Sequence, residues 1–334
     1  MEMTCGRDSH GDSLLEASVP LLTVTRGGII DMQHAGLACL VDAAGNRLWS
    51  LGDPHANAFI RSSAKPLQAL AMLASGAADA AGLDERDLAI VCGSHQGGPE
   101  QVAQVDSLLA KSGLSADQLG CGSPDGGEDA RKDMCSGKHA GMLTACKHLH
   151  LPLDSYLDPD HPWQRKLRST ICGYCAADPE TTPRAVDGCS APTFSLPLYN
   201  MALGFARLGR EAMQPGPAAR LLRAMAGHPG GHTGEPDLRP FAVENASADP
   251  GLGAAIFTKA GANGLHCASI PALGLGFALK IADGSALPRW PVFTRALQAS
   301  GRISERTVAA MRETLWPRIL TRKGVEAGNF RLDF

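Results

Sequence analysis

The tetrapeptide Ser62-Ser63-Ala64-Lys65 places a hydroxyl and an amine one helical turn apart. At that spacing both side chains share a helix face, and the amine can reach the hydroxyl. A serine hydroxyl attacks a carbonyl poorly at neutral pH, but a lysine partly desolvated in a cleft can take its proton. Ser62 is therefore the expected nucleophile and Lys65 its general base. The tetrapeptide alone arises readily by chance, and a helix cap followed by a surface lysine explains it as well.

Two further positions extend the pattern. Ser94 follows the apolar run Leu88-Ala89-Ile90-Val91-Cys92, which reads as a buried strand, and active-site residues of α/β folds often sit at strand ends. Lys259 ends a short strand expected at 254–258, in Thr258-Lys259-Ala260-Gly261. That stretch is similar to the K-T-G strand of β-lactamase-like sites, with Ala in place of Thr, and S-x-x-K occurs at the same sites. Ser94 is expected to relay or hydrogen-bond, and Lys259 to lower the serines' pKa by its charge.

Two cysteines sit in polar, glycine-rich settings, Cys135-Ser136-Gly137-Lys138-His139 and Asp187-Gly188-Cys189. A thiolate from each can bind zinc tetrahedrally with a third protein ligand and a water. The plainer reading of either cysteine alone is a small buried hydrophobe. Cys172-Gly173-Tyr174-Cys175 is a C-x-x-C on an expected helix, but no second such pair accompanies it, so a redox or second-metal reading has little support.

These residues need a scaffold. Residues 1–18 read as a flexible leader. Short β-prone runs follow at 20–26, 36–42 and 46–51, and Leu67, Leu70, Met72 and Leu73 recur at helical spacing within a helix expected over 62–78. Helices are expected at 99–112, 137–148, 197–213, 217–225 and 303–316, and a strand at 273–281. Residues 227–251 form a long Gly/Pro/Asp-rich connection, of the kind that is usually functional or mobile.

With 334 residues, 44% hydrophobic and 19% charged, the chain can bury a substantial core and is not disordered. Net charge is −3 with no long basic run, which argues against a phosphate-backbone partner, and aromatics at 5% argue against base stacking. No stretch approaches 18 uninterrupted apolar residues, and the start of the chain lacks a secretory pattern, so no membrane span and a cytoplasmic location are expected.

RSSAKPLQAL (61–70), CGSHQG (92–97), CSGKHAGML (135–143), DHPWQ (160–164) and VDGCSAPTFSLPL (186–198) together resemble the zinc-associated class 3 asparaginases of the rhizobial type. RGGIIDMQHAG (26–36) and the stretch from TKAGANG (258–264) to LKIADG (279–284) fit the same family in the same order. The resemblance implies an α/β (α+β) fold of serine β-lactamase/glutaminase type: an antiparallel sheet flanked by helices, with a helical subregion over about 95–230 of a single domain spanning 19–334. It also implies a homodimer that hydrolyses L-asparagine to L-aspartate and ammonia.

By motif, the family's two Ser–Lys tandems fall on Ser62 with Lys65 and on Ser94 with Lys259. Its zinc ligands fall on Cys135, Lys138 and Cys189. Arg61, His139 and Asp187 match residues around substrate and metal; Asp187 suits the substrate's α-ammonium, and Arg61 a carboxylate or the Ser/Lys network. The segment after His228-Pro229 departs from the family pattern, which leaves open a preference for asparagine or glutamine. The rival readings are another serine amidohydrolase, a glutaminase or β-lactamase relative, and a zinc-binding homologue without turnover.

Overall fold

The strands β1 (Val19–Arg26), β2 (Ile29–Asp42) and β3 (Arg47–Leu51) open the chain as antiparallel neighbours. This computed structural model describes residues 14–228, Leu238, Asp249 and residues 256–334, with Asp125 by its backbone only. In β2, Leu37, Cys39 and Val41 face one core and Ala38 and Leu40 the other, the period of a strand buried on both sides. Further along, β4 (Asn57–Phe59), β5 (Arg184–Val186) and β6 (Pro192–Pro197) make a separate three-stranded sheet in the order β4-β6-β5. The main sheet is completed by β7 (Phe257–Ala260), β8 (Leu265–Ile270), β9 (Leu275–Ile281) and β10 (Asn329–Leu332). Its order is β10-β1-β2-β9-β8-β7, with β3 also on β2, and every pairing is antiparallel.

Helices cover both faces. Among the described residues they are, in chain order, α1 (Leu14–Ala17), α2 (Lys65–Ala74), α3 (Ala77–Ala80), α4 (Glu85–Cys92), α5 (Pro99–Lys111), α6 (Ser136–His148), α7 (Pro162–Tyr174), α8 (Leu198–Ala212), α9 (Pro217–Gly227), α10 (Arg289–Ala299) and α11 (Glu305–Leu315). One core gathers α2 to α9 against Leu37, Cys39, Leu265 and Ala278. The other packs Val292, Phe293, Leu297, Val308 and Met311 against Leu40, Phe277 and Leu279. The expected α/β architecture, an antiparallel sheet flanked by helices, is the one observed.

Several local expectations need correction. Leu88–Cys92 is not a strand but the body of α4. A continuous apolar run suits either element when neighbours surround it on all sides. The deciding feature is a capping box: the Asp84 side chain accepts from Asp87 N–H while the Asp87 side chain accepts from Asp84 N–H. The helical part therefore begins at Arg61 and not near 95. The helix expected over 62–78 is a 3₁₀ turn at Arg61–Ala64 followed by α2 and α3, broken at Gly76, which takes the left-handed φ of +79°. Within the expected leader, Leu14–Ala17 form a short helix, with Ala17 buried and its carbonyl accepting from Asp53 N–H. The strand placed at 254–258 runs instead over Phe257–Ala260. Residues 1–13 and most of the 227–251 connection lie outside the described residues.

Candidate active site

Three segments converge on Ser94. The 3₁₀ turn leads into α2 with Pro66 in its first turn, and this presents Lys65, whose side chain is 1% exposed. Ser94 follows α4, whose C-cap is Gly93. Strand β7 supplies Lys259, 2% exposed, opposite Cys267 on β8.

Lys65 Nζ lies 3.0 Å from Ser94 Oγ, 2.5 Å from Gly93 O and 3.1 Å from Met134 O. Lys259 Nζ is also 3.0 Å from Ser94 Oγ and donates to Ala260 O at 2.7 Å. One hydroxyl thus stands between two amines. Burial drives the Lys65 pKa down, and the Lys138 charge adds to that; the Cys135 and Cys189 sulfurs oppose it.

Ser62 and Lys65 do not form the expected hydrogen-bonded tandem. Lys65 is bonded instead to the Gly93 and Met134 carbonyls, to Ser94 and to the Cys135 sulfur. Ser62, half-buried, makes no side-chain hydrogen bond among the described residues. Its neighbour Ser63 is buried and donates to Lys259 O at 2.8 Å, tying the 3₁₀ turn to β7.

The second cluster lies beside the first. Helix α6 can approach α4 closely because Gly137 and Gly141 carry no side chain. A Cβ on Gly137 would stand 2.3 Å from Ile90 O, and one on Gly141 2.8 Å from a Val91 methyl. The start of α6 brings Cys135 and Lys138 to Cys189, which sits in the turn between β5 and β6. That turn is closed by Asp187 N–H to Ala191 O and Ser190 N–H to Asp187 O, with Ser190 at φ +67°. Lys138 Nζ donates to Cys189 Sγ at 2.9 Å, and all three side chains are buried.

Shared hydrogen bonding with Cys189 pulls the Cys135 thiol down to about 4, helped by the Lys65 and Lys138 charges against the cost of burial. Cys189 is pushed up by the same bond and by burial. Two sulfurs and an amine so placed fit a thiophilic metal such as zinc. No group of three His, Cys, Asp or Glu side chains suited to a metal occurs among the described residues, so a metal held here would take Lys138 with the two sulfurs.

Pairing of Phe59 with Ser195, then Ile60 N–H to Phe194 O, carries the chain from β4 to Arg61 beside the Asp187 turn. Arg61 adopts φ +46°, a strained conformation for a residue with a side chain. Its Nε and a terminal nitrogen lie 2.9 and 2.7 Å from Asp187 Oδ1. Burial alone would raise the Asp187 carboxyl; the Arg61 bond and the Gly188 N–H outweigh it and leave the pKa below the usual value. The two charges assigned to the substrate's termini are thus paired with each other here.

His139 is fully buried. Its Nδ1 meets Tyr156 Oη at 2.7 Å, and that oxygen accepts from Gly120 N–H. Burial, then the Lys138 and Lys65 charges, hold His139 neutral. If the Tyr156 hydroxyl donates to Nδ1, Nε2 carries the ring proton, and it has no partner among the described residues.

Sequence reasoning missed Ser63, Tyr156 and the Gly93 and Met134 carbonyls. A backbone acceptor leaves no trace in residue type, and nothing near Tyr156 singles it out. Neither Cys172 nor Cys175 is hydrogen-bonded to a residue of either cluster among the described residues. Cys172 Sγ contacts Thr182 Oγ1 at 3.5 Å, and burial raises both thiols, the reverse of what a reactive pair needs.

No curated protein matches the chain. Among solved structures, a β-lactamase from Mycobacterium bovis is similar at 15% identity, covering 80% of this chain and 95% of that one with a TM-score of 0.43. The family described as L-asparaginase II matches residues 22–332. Since that match spans nearly the whole sequence, the protein is an amidohydrolase that belongs to the L-asparaginase II family.

Proposed function

We propose that this protein hydrolyses the side-chain amide of L-asparagine to L-aspartate and ammonia, with a serine hydroxyl activated by two lysines. The observation that carries the reading is Ser94 Oγ at 3.0 Å from both Lys65 and Lys259. Two buried ammonium groups so close repel, so one amine is the better placed to be neutral. A neutral Lys65 donates to Gly93 O and Met134 O and turns its lone pair to the Ser94 proton. Lys259, as the ammonium, donates to the same oxygen and stabilises negative charge on it. The Ser94 proton passes to Lys65, Oγ bonds to the amide carbon, and the C–N bond breaks as nitrogen takes the proton back and leaves as ammonia. Water then opens the ester to give aspartate. The nucleophile first expected at Ser62 is accordingly reassigned to Ser94.

Asp187 supplies a negative charge for the α-ammonium, Arg61 holds the Asp187 carboxylate in place, and the His139 Nε2 hydrogen is available to a substrate oxygen. Cys135, Lys138 and Cys189 would hold one zinc per chain. When bound, the ion supplies a fixed positive charge that holds the α6 start and the β5–β6 turn in place. The homodimer and the cytoplasmic location belong to the same proposal. Ile29, Ile30 and Met32, exposed at the β1–β2 end, offer an apolar contact surface, and buried free cysteines suit a reducing compartment.

The test is ammonia release from L-asparagine and L-glutamine, with cephalosporin ring opening measured alongside. Turnover of asparagine above the other two is expected. Preference for glutamine or the cephalosporin, or turnover of none, would replace this reading with one of its rivals.

A further inference from the structure

Lys280 lies on β9 between Leu37 of β2 and Leu265 of β8, both in the core on the helical side. Its neighbours Leu279 and Ile281 face the opposite core. The side chain therefore emerges on the same face of the sheet as the site. Its ammonium donates to Asn263 O and, at 3.2 Å, to Ile281 O. Asn263 belongs to the β7–β8 turn that directly follows Lys259 and Ala260. Gly261 in that turn packs so closely on Ser63 that a Cβ there would stand 3.2 Å from Ser63 Oγ.

The charge around Lys280 is unbalanced. It has no ion pair among the described residues, and two carbonyls leave one of its N–H groups over. Asp283, the acid that favours its ammonium, is engaged by His34 Nδ1 at 2.6 Å and by Ser285 N–H at 3.0 Å. Burial and then the Arg61 charge both lower the Lys280 pKa, which places the two cations within electrostatic reach of each other. Arg61 is neutralised by Asp187. One positive charge on a half-buried, tethered side chain is left at the edge of the site.

We propose that Lys280 binds the α-carboxylate of the substrate amino acid, an assignment that rests on the asparaginase reading. An anion here takes the spare N–H, relieves the repulsion with Arg61 and leaves Asp187 for the α-ammonium. The two carbonyl bonds fix the lysine head before the substrate arrives, so little side-chain entropy is lost on binding.

The experiment compares kcat and KM for L-asparagine and for 3-aminopropanamide, which is asparagine without its α-carboxylate, in wild type, Lys280→Met, Lys280→Gln and Lys280→Arg. The neutral variants should lose roughly 10- to 100-fold in kcat/KM on asparagine, mainly through KM. Their activity on 3-aminopropanamide should stay within about threefold of wild type, and Lys280→Arg should recover part of the asparagine loss. Equal losses on both amides, or no loss on asparagine, overturn the assignment. Circular dichroism identifies a variant that fails to fold, and the second neutral variant then replaces it. If wild type releases ammonia from neither amide, the asparaginase reading fails by itself. The anchor is then read by calorimetric binding of L-aspartate and β-alanine: weaker aspartate binding in Lys280→Met supports it, while unchanged or absent binding overturns it.

Discussion

Lys65 and Lys259 flank one oxygen, each with its nitrogen 3.0 Å from Ser94 Oγ. One comes from the start of α2 and the other from β7, so a helix and the edge of the sheet must be docked before the pair exists. The Ser63 bond to Lys259 O is the rivet between them. The proposed exchange of a proton between serine and lysine rests on this geometry, and the sequence spacing of Ser62 and Lys65 does not by itself produce it.

Ser94→Ala should therefore reduce turnover of asparagine by about three orders of magnitude or more, with the fold intact by circular dichroism. Ser62→Ala should cost far less, because no amine is bonded to its hydroxyl. Steady-state ammonia release on both variants decides the matter, and the reverse ranking would return the nucleophile to Ser62.

The pH dependence has a definite sign. Lys65 acts as a base only when neutral, and burial has brought its pKa below the ordinary 10.5. Activity should rise with pH through an ionisation lying below that value. Lys259→Met removes a neighbouring positive charge, so Lys65 should hold its proton to higher pH and the limb should move upward. The apparent value belongs to the coupled pair and to neither lysine alone. A kcat/KM profile that is flat across the alkaline range, or a limb that moves down in the variant, would remove Lys65 as the base.

Much of this site was legible in the sequence because its residues are named by type. Lys65, Ser94, Cys135, Lys138, Asp187, Cys189 and Lys259 all carry chemistry in their side chains, and the structure gathers them into two adjoining clusters, while Ser62 stays outside the hydrogen-bonded set. What misled was the partner of Lys65: residue spacing reports which side chains share a helix face, and says nothing of carbonyls that arrive from elsewhere in the fold. Leu88–Cys92 misled for a related reason, since uniform burial erases the periodicity that separates helix from strand. The Asp84–Asp87 capping box did hold the answer. Arg289–Ala299 and Asn329–Leu332 gave short, mixed patterns that only tertiary packing resolves.

Metal analysis tests the thiol cluster. Purified protein should carry about one zinc per chain, as expected for two cysteines and a deprotonated lysine. Cys135→Ser and Cys189→Ser should deplete it, whereas Cys172→Ser should not, because Cys172 contacts Thr182 away from the site. Zinc retained by a variant lacking both Cys135 and Cys189 would rule the cluster out as its ligand set.

Asp249 provides a stability test away from the site. Its carboxylate accepts from Ser304 N–H at 2.9 and 3.0 Å, from Ser304 Oγ at 2.7 Å and from Thr307 Oγ1. It thereby joins the N-terminus of α11, where Ser304 is also the N-cap that accepts from Thr307 N–H. Partial burial works against the charged form, but the bonds from Thr307 and Ser304 outweigh it, and the carboxyl is held below its ordinary 3.8. A carboxyl with a depressed folded-state pKa contributes stability above the unfolded value and loses it as pH falls through the folded one. Asp249→Ala should therefore cost roughly 1 kcal/mol near neutrality, the usual scale for a helix cap. The gap from wild type should narrow as the pH drops below 3.8. Ser304→Ala removes the Oγ bond to Asp249 and the cap on Thr307 N–H while keeping the backbone bonds, so the double variant should lose less than the sum of the two single losses by the shared Oγ bond. Urea midpoints measured at neutral and acid pH supply all of these values. Strictly additive losses, or a gap that does not change with pH, would show that Asp249 does not act through the α11 cap.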